Sequence, residues 1–300
     1  MGYHKPVLLN ESIEGLNIRP DGVYVDLTFG GGGHSRGILP GLGDGRLFAF
    51  DQDADAAAEA EKIRDARFVF TRSNFLFFRN FLRYYNINLV DGILADLGVS
   101  SHHIDDPGRG FSFNAPGQPD MRMNRNSSVT ALEIINSYSA EKLTGIFREY
   151  GEISNAGKVA RTIAGARETR PFSDIPGFID AIASCMPARQ ENKYLAKIFQ
   201  ALRIEVNNEL AVLRQMLTQV PLALKEGGRL VVISYHSLED RIVKNFMRTG
   251  KPEGDIEKDF YGNPLAPLKP VIRKAIVPGA EEINDNKRAR SARLRVAERN

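Results

Sequence analysis

The stretch Val23-Tyr-Val-Asp-Leu-Thr-Phe-Gly-Gly-Gly-Gly-His34 decides how the rest of the chain is read. A short β-branched and apolar run enters four consecutive glycines, Gly30 to Gly33, and Ser35-Arg-Gly-Ile-Leu39 continues with helical character. Strand, glycine turn and helix in succession is how open α/β sheets bring backbone close to a ligand. Two familiar ligands fit it poorly. The fingerprint Gly-x-Gly-x-x-Gly, started at Gly30, meets Ser35 at its third glycine. A phosphate-binding loop requires Lys-Ser/Thr after its last glycine, where Gly37 is followed by Ile38 and Leu39.

Outward from this stretch, Arg46-Leu-Phe-Ala-Phe-Asp51, Phe68-Val-Phe-Thr71 and Val90-Asp-Gly-Ile-Leu-Ala-Asp96 read as three further strands. Helix-forming segments at 54–63 and 75–85 separate them, and this alternation predicts a parallel sheet with right-handed crossovers. Residues 5–20, with Val7-Leu-Leu9, Ile13 and Leu16, read as a lead-in packed on the sheet edge. After Asp105 the next strand-like run is Arg229-Leu-Val-Val-Ile-Ser234. The gap opens with the loop Pro107-Gly-Arg-Gly-Phe-Ser-Phe113. Two helical patterns follow: Leu143, Ile146, Phe147 and Tyr150 behind Ser139 as N-cap, then Ile175, Phe178, Ile179, Ile182 and Met186. The fold expected is α/β, a Rossmann-like sheet formed by residues 1–106 and 196–300, with a helical insertion at 107–195. Apolar spacing from Leu195 to Leu217 predicts one helix of about 25 residues, more than about 30 Å long at ~1.5 Å per residue. Residues 250–280 hold five of the fifteen prolines and read as irregular, and Ser291 to Arg299 alternates as an edge strand does.

Composition bounds the function. At 300 residues, 42% hydrophobic and 26% charged, the chain has the balance of a soluble globular protein with a substantial core. No uninterrupted apolar segment of about 18 residues predicts a membrane span, and Met1 to Pro6 lack an apolar signal core. The single cysteine, Cys185, excludes an intrachain disulfide and agrees with a cytoplasmic location; it falls in a helical apolar pattern that predicts packing. A net charge of +3 decides nothing by itself, but residues 269–300 carry nine Lys/Arg against four Asp/Glu. Such a tail suits a polyanion and equally a solvated surface, as do Lys158, Arg161, Arg167 and Arg170 in the insertion.

Ligands of open α/β sheets bind beyond the carboxyl ends of the strands, where strand order reverses. Asp51, 21 residues after Gly30, stands there as an acceptor for both ribose hydroxyls of a nucleoside, against the plainer reading of a turn acid or helix cap. A carboxylate so placed tolerates a sulfonium and repels a pyrophosphate, which favours S-adenosylmethionine. Asp96 ends a continuous apolar strand, where a carboxylate costs several kcal/mol unless it has a partner, so use in function outweighs use as a cap. Phe75 is by default a core residue, and only its position beyond strand three makes it a stacking candidate for adenine. Phe111 and Phe113 lie in a glycine-rich loop, where aromatics can stack a base. His34, His102, His103 and His236 have no cysteine partners and no His-x₃-His spacing, so no metal is expected.

Six motifs carry a family resemblance: Asp26-Leu-Thr-Phe-Gly-Gly-Gly-Gly-His-Ser35, Asp96-Leu-Gly-Val-Ser-Ser101, Arg109-Gly-Phe-Ser-Phe113, Asp120-Met-Arg-Met123, Phe199-Gln-Ala-Leu-Arg-Ile-Glu-Val-Asn207 and Ser234-Tyr-His-Ser-Leu-Glu-Asp-Arg241. In this order, over essentially the whole chain, they resemble the RsmH (MraW) family of bacterial ribosomal RNA cytosine-N4 methyltransferases. The resemblance implies methyl transfer from S-adenosyl-L-methionine to the exocyclic N4 of one cytidine in the decoding region of 16S ribosomal RNA. The substrate it implies is that RNA, free or within the small subunit; a homodimer is left open. It also implies cofactor contacts at Gly32, Gly33, His34, Asp51, Phe75 and Asp96. Relatives carry a further contact at a glutamine whose position here is His103.

Cytosine N4 is a weak nucleophile because its lone pair is delocalised into the ring. Acceptors on its two hydrogens favour a pyramidal nitrogen, and Asp96 or the carbonyls of Leu97 and Gly98 are placed for that. Asp96 is therefore expected as a catalytic residue. His236 is expected to orient the base or the RNA backbone, and the insertion to recognise substrate through Arg109, Phe111 and Phe113. Many amino-methyltransferases place Asp/Asn-Pro-Pro-aromatic here; this chain has Asp96-Leu-Gly-Val99, so the stacking aromatic comes from elsewhere. The competing readings are the same fold acting on DNA or a small molecule, and a non-catalytic ribosome-assembly or RNA-binding factor that retains a cofactor pocket.

Overall fold

A computed structural model describes residues 6–262 and 265–300. The chain runs through α1 (Leu9–Leu16), β1 (Val23–Asp26), α2 (Gly33–Ile38), β2 (Arg46–Asp51), α3 (Ala54–Ala60), β3 (Phe68–Arg72), α4 (Phe78–Tyr84) and β4 (Val90–Asp96). Six helices follow: α5 (Ser101–Asp105), α6 (Ala131–Ser137), α7 (Ala140–Glu149), α8 (Ala156–Thr169), α9 (Ile175–Ile182) and α10 (Glu191–Asn207). Then come α11 (Glu209–Gln219), β5 (Leu224–Ser234), α12 (Ser237–Thr249), β6 (Leu268–Pro270), α13 (Ala280–Asp285) and β7 (Arg293–Arg299). Among the described residues no helix is long and apolar enough to cross a membrane.

The strands form one sheet in the order β3-β2-β1-β4-β5-β7-β6. The first five are parallel, and β7 runs antiparallel to both β5 and β6. Leu47 to Phe50 and Ile93 to Ala95 are buried without alternation, as strands covered on both faces must be. Strand order reverses between β1 and β4, so Asp26 and Asp96 end adjacent strands, with Asp26 in register with Leu94. The alternating segment near the C-terminus is not an edge: β7 has a neighbour on each side, and the edge falls to the three-residue β6. The lead-in is not at an edge either. Helix α1 lies against β4, β5 and β7, and a Cβ added at Gly15 would stand 2.9 Å from Cγ2 of Val296 and 3.2 Å from Cγ2 of Val231.

Residues Met1–Gly98 with Leu210–Asn300 form one compact unit, and Val99–Glu209 form a second. The second has its own core, to which α7 gives Phe147, α9 gives Phe178, and α10 gives Leu195, Ile198, Phe199 and Leu202. This shared burial moves the borders of the insertion outward from the expected 107 and 195. Helix α8 escaped the sequence reading because its buried face is built largely of short side chains: Ala156, Val159, Ala160 and Ile163. Lys158 and Arg161 on it, and Arg170 just past its end, are exposed.

The single long helix expected over Leu195 to Leu217 is two helices. Asn208 takes the left-handed conformation at φ 52°, which asparagine tolerates better than most residues. Beside it, the Asn207 amide donates to Met121 O at 2.8 Å and accepts from Met123 N–H at 2.8 Å, and Arg203 pairs with Glu209 through two bonds of 2.8 and 2.9 Å. These bonds hold the α10 terminus where apolar spacing alone shows no interruption.

Candidate active site

The glycine loop is shaped by contacts on three sides. Gly30 and Gly32 have φ of 53° and 75°, where side chains are strained. A Cβ on Gly32 would stand 2.6 Å from Cζ of Phe29, and one on Gly33 would stand 2.9 Å from Cγ of Pro6. Below the loop, buried Asp26 accepts from the Ser35 hydroxyl at 2.7 Å and from Thr28 N–H at 3.1 Å. Burial pushes the Asp26 carboxyl above the usual range, against the lowering effect of Ser35.

The acid ending β2 belongs to this loop. Asp51 Oδ2 accepts from Gly30 N–H at 2.8 Å, and Oδ1 accepts from Asp53 N–H at 2.9 Å. The cap of α3 is Asp53, whose Oδ1 accepts from Asp55 N–H at 3.0 Å, so the helix-cap alternative for Asp51 does not hold. Asn74 donates to Gln52 Oε1 at 3.2 Å and caps the single 3₁₀ turn Phe75–Phe77. Those bonds tie Phe75, partly exposed, to the segment that follows Asp51.

Asp96 is the centre of a second cluster. Its N–H donates to Thr28 Oγ1 at 2.6 Å, and its Oδ1 accepts from the Tyr235 phenol at 2.8 Å. Oδ2 lies 3.7 Å from Nδ1 of His34, whose other ring nitrogen, Nε2, is 3.1 Å from Val7 O. With Nε2 turned to that carbonyl, it is Nδ1 that faces the carboxylate. Burial pushes the Asp96 carboxyl up to about 6. His34 and Tyr235 oppose this rise, and the charges of Asp26 and Glu239 add to it. Still, 23% of its side-chain surface is open, so it can be reached.

Tyr235 is the site residue the sequence reading passed over in favour of its neighbour. Burial, and then the Asp96 charge, push its phenol well above 10, so it remains a donor at physiological pH. His236, expected to act on substrate, is the N-cap of α12. Its Nδ1 accepts from Glu239 N–H at 3.4 Å, and its Nε2 lies 3.3 Å from Glu239 Oε1. Glu239 Oε2 in turn accepts from Tyr235 N–H at 3.0 Å. His236 thus reaches the Asp96 cluster through Glu239 and Tyr235. The signal that could have found Tyr235 is its position: first residue past β5, the strand that pairs with β4.

The remaining expected residues lie in the second unit. The His103 ring on α5 stacks on Phe111 with centroids 5.1 Å apart. Arg109 is only 2% exposed, and its Nη2 donates to the carbonyls of Arg122 at 3.0 Å and Met123 at 3.3 Å. That burial corrects its expected part as an RNA contact: the guanidinium braces the loop, joining the Arg109-Gly-Phe and Asp120-Met-Arg motifs. Phe111 is buried as well, so it is not the open platform expected. Phe113, partly buried, meets the Phe199 ring edge-on at 5.8 Å.

A sheet in this order, with a glycine loop after β1 and acids ending β2 and β4, is that of the Rossmann-like class I methyltransferases, which use S-adenosylmethionine. Residues 1–300 match the MraW methylase family, and the chain belongs to it. Ribosomal RNA small subunit methyltransferase H of Bacteroides fragilis is 55% identical over 298 residues, 99% of this chain and 97% of that protein. The protein of the same name from Flavobacterium johnsoniae is 52% identical over 300 residues, 100% of this chain and 98% of its own length.

Proposed function

We propose that this protein transfers a methyl group from S-adenosylmethionine to the exocyclic N4 of one cytidine in the decoding region of 16S ribosomal RNA, with the small subunit as the particle it acts on. The names and near-complete coverage of the relatives support the substrate class, and the six motifs support the atom. Work on that particle assigns the protein to the cytoplasm. The observation that carries the chemistry is Asp96, half-sequestered at the end of β4, with one oxygen held by Tyr235 and the other beside His34.

The donor set fits the cofactor. Asp51, held at the carboxyl end of β2 by Gly30 N–H and Asp53 N–H, is a carboxylate set against the glycine loop, the kind of acceptor that ribose hydroxyls take. We assign Gly32, Gly33 and His34 to the cofactor's backbone-facing side, Phe75 to its adenine, and His103 to the contact that relatives make with glutamine. When bound, the cofactor supplies a methyl group on a sulfonium with an excellent leaving group, so the protein's task is placement and exclusion of water. Asp96 Oδ2 and the carbonyls of Leu97 and Gly98 accept the amine hydrogens, which favours a pyramidal N4. The surplus proton of the methylated amine would pass to the Asp96 carboxylate or to solvent. The second unit selects the RNA, with Phe113 as the stacking aromatic and Arg109 and Phe111 as its support.

Incubating the protein and labelled S-adenosylmethionine with small subunits that lack the modification tests this directly. Label at a single cytidine is the expected result. Tight cofactor binding without transfer favours an assembly factor instead.

A further inference from the structure

We infer that Tyr235 is the positioning residue for Asp96: by holding Oδ1, its phenol turns the carboxylate so that Oδ2 is the oxygen offered to the acceptor amine. This rests on the methyl-transfer reading above.

Every part of the arrangement is fixed independently. The Asp96 backbone is tied to β1 through Thr28 Oγ1 at 2.6 Å, and its register on β5 opposite Ile233 brings Tyr235 alongside. The Tyr235 backbone is held in turn by Glu239 Oε2 at 3.0 Å, and Glu239 is buried. Gly98 has φ 92°, and a Cβ placed there would lie 3.5 Å from Cδ2 of Tyr235, so the ring borders the turn by which the chain leaves Asp96. With these anchors the phenol has, among the described residues, one hydrogen-bond acceptor, Oδ1 at 2.8 Å. Oδ2 is treated differently, since His34 Nδ1 at 3.7 Å is beyond hydrogen-bond distance. A carboxylate with one oxygen held and one open presents a single, directed acceptor.

The charged and titratable groups facing Asp96 are His34 on α2, Asp26 on β1, Glu239 on α12 and Tyr235 after β5. Of these only Tyr235 makes a hydrogen bond to the carboxylate, and that bond favours the ionised form. Removing the hydroxyl therefore frees the carboxylate to rotate and also makes it easier to protonate. A role confined to packing produces neither effect, because phenylalanine fills the same space.

The test compares full-length wild type with Tyr235→Phe in methyl transfer to unmodified small subunits across pH 5 to 9. The Asp96 carboxyl is read in parallel by ¹³C NMR, its signal identified by its loss in Asp96→Asn. Loss of a hydrogen bond to a charged group is expected to move the acid limb of kcat/KM up by about one pH unit, which alone roughly halves the rate at pH 7, and misplacement of the freed carboxylate lowers it further, to roughly a tenth of wild type. KM for S-adenosylmethionine should stay within about threefold. The carboxyl signal should titrate higher in Tyr235→Phe by the same amount as the limb. A limb and a carboxyl titration both unmoved overturn the assignment, whatever the level of activity. If the wild type itself transfers no methyl group, the functional reading fails, and the carboxyl titration still decides whether Tyr235 holds Asp96.

Discussion

Two acids end strands of the same sheet, and the molecule holds them in different ways. Asp51 takes backbone N–H groups of Gly30 and Asp53 on its two oxygens, a geometry set by the loop itself. Asp96 takes a phenol on one oxygen and keeps the other 3.7 Å from an imidazole, with its carboxyl pushed up to about 6 by burial. Backbone donors carry no titratable proton, so the first arrangement suits a permanent acceptor for a neutral sugar. Side-chain partners around a buried carboxylate make the second sensitive to proton and geometry, as a reacting group requires. Under the function proposed above, the contrast assigns binding to Asp51 and chemistry to Asp96 within one sheet.

The strongest way to break that division is Asp96→Ala, which should lower kcat by roughly a thousandfold, far more than it weakens cofactor binding measured by calorimetry. Near-normal turnover would remove Asp96 from the reaction. Asp51→Asn should do the reverse, raising KM for S-adenosylmethionine by about tenfold with kcat within about twofold at saturation, the scale of one hydrogen bond to a charged group. A kcat loss as large as that of Asp96→Ala would erase the distinction.

A third measurement is the wild-type pH profile. Because burial pushes the Asp96 carboxyl up to about 6 in the free protein, kcat/KM should fall about tenfold per pH unit below that value as the acceptor becomes protonated. A flat profile to pH 5 contradicts it. The smallest effect is on stability. A folded-state value above the ordinary 3.8 means that the folded protein binds this proton more tightly than the unfolded chain. Stability is thus lost as pH rises from about 4 through 6, and the ionised group is a net cost above that. Asp96→Asn keeps an acceptor for Tyr235 and removes the charge, so its melting temperature at pH 7.5 should exceed that of wild type by about 2 °C, corresponding to about 1 kcal/mol. A lower value than wild type would show that the charge is stabilising.

Legibility followed the range of the interaction. The parallel strands are covered on both faces, so each shows as an apolar run, and the glycine loop shows because left-handed backbone and close packing both require glycine. Asn208 stayed hidden because an αL residue leaves apolar spacing undisturbed on either side. The burial of Arg109 depends on the carbonyls of Arg122 and Met123 folding back onto it, and that of Phe111 on the His103 ring stacked against it; neither contact shows in local spacing.

By itself the sequence determined the parallel strands of the sheet, the loop at its switch point, the placing of Asp51 and Asp96 at strand ends, the presence of a helical insertion and, through six ordered motifs, the family. Those features are written in residue type and short spacing, which sequence displays directly. Only the tertiary structure decided what surrounds Asp96. Tyr235 is 139 positions away along the chain, and no spacing rule connects them. They meet because β4 and β5 lie side by side, although the whole second unit intervenes between them in sequence. The same pairing made Tyr235, and not His236, the residue in contact with the carboxylate: successive residues leaving a strand point in different directions, and the first to emerge faces the neighbouring strand's end.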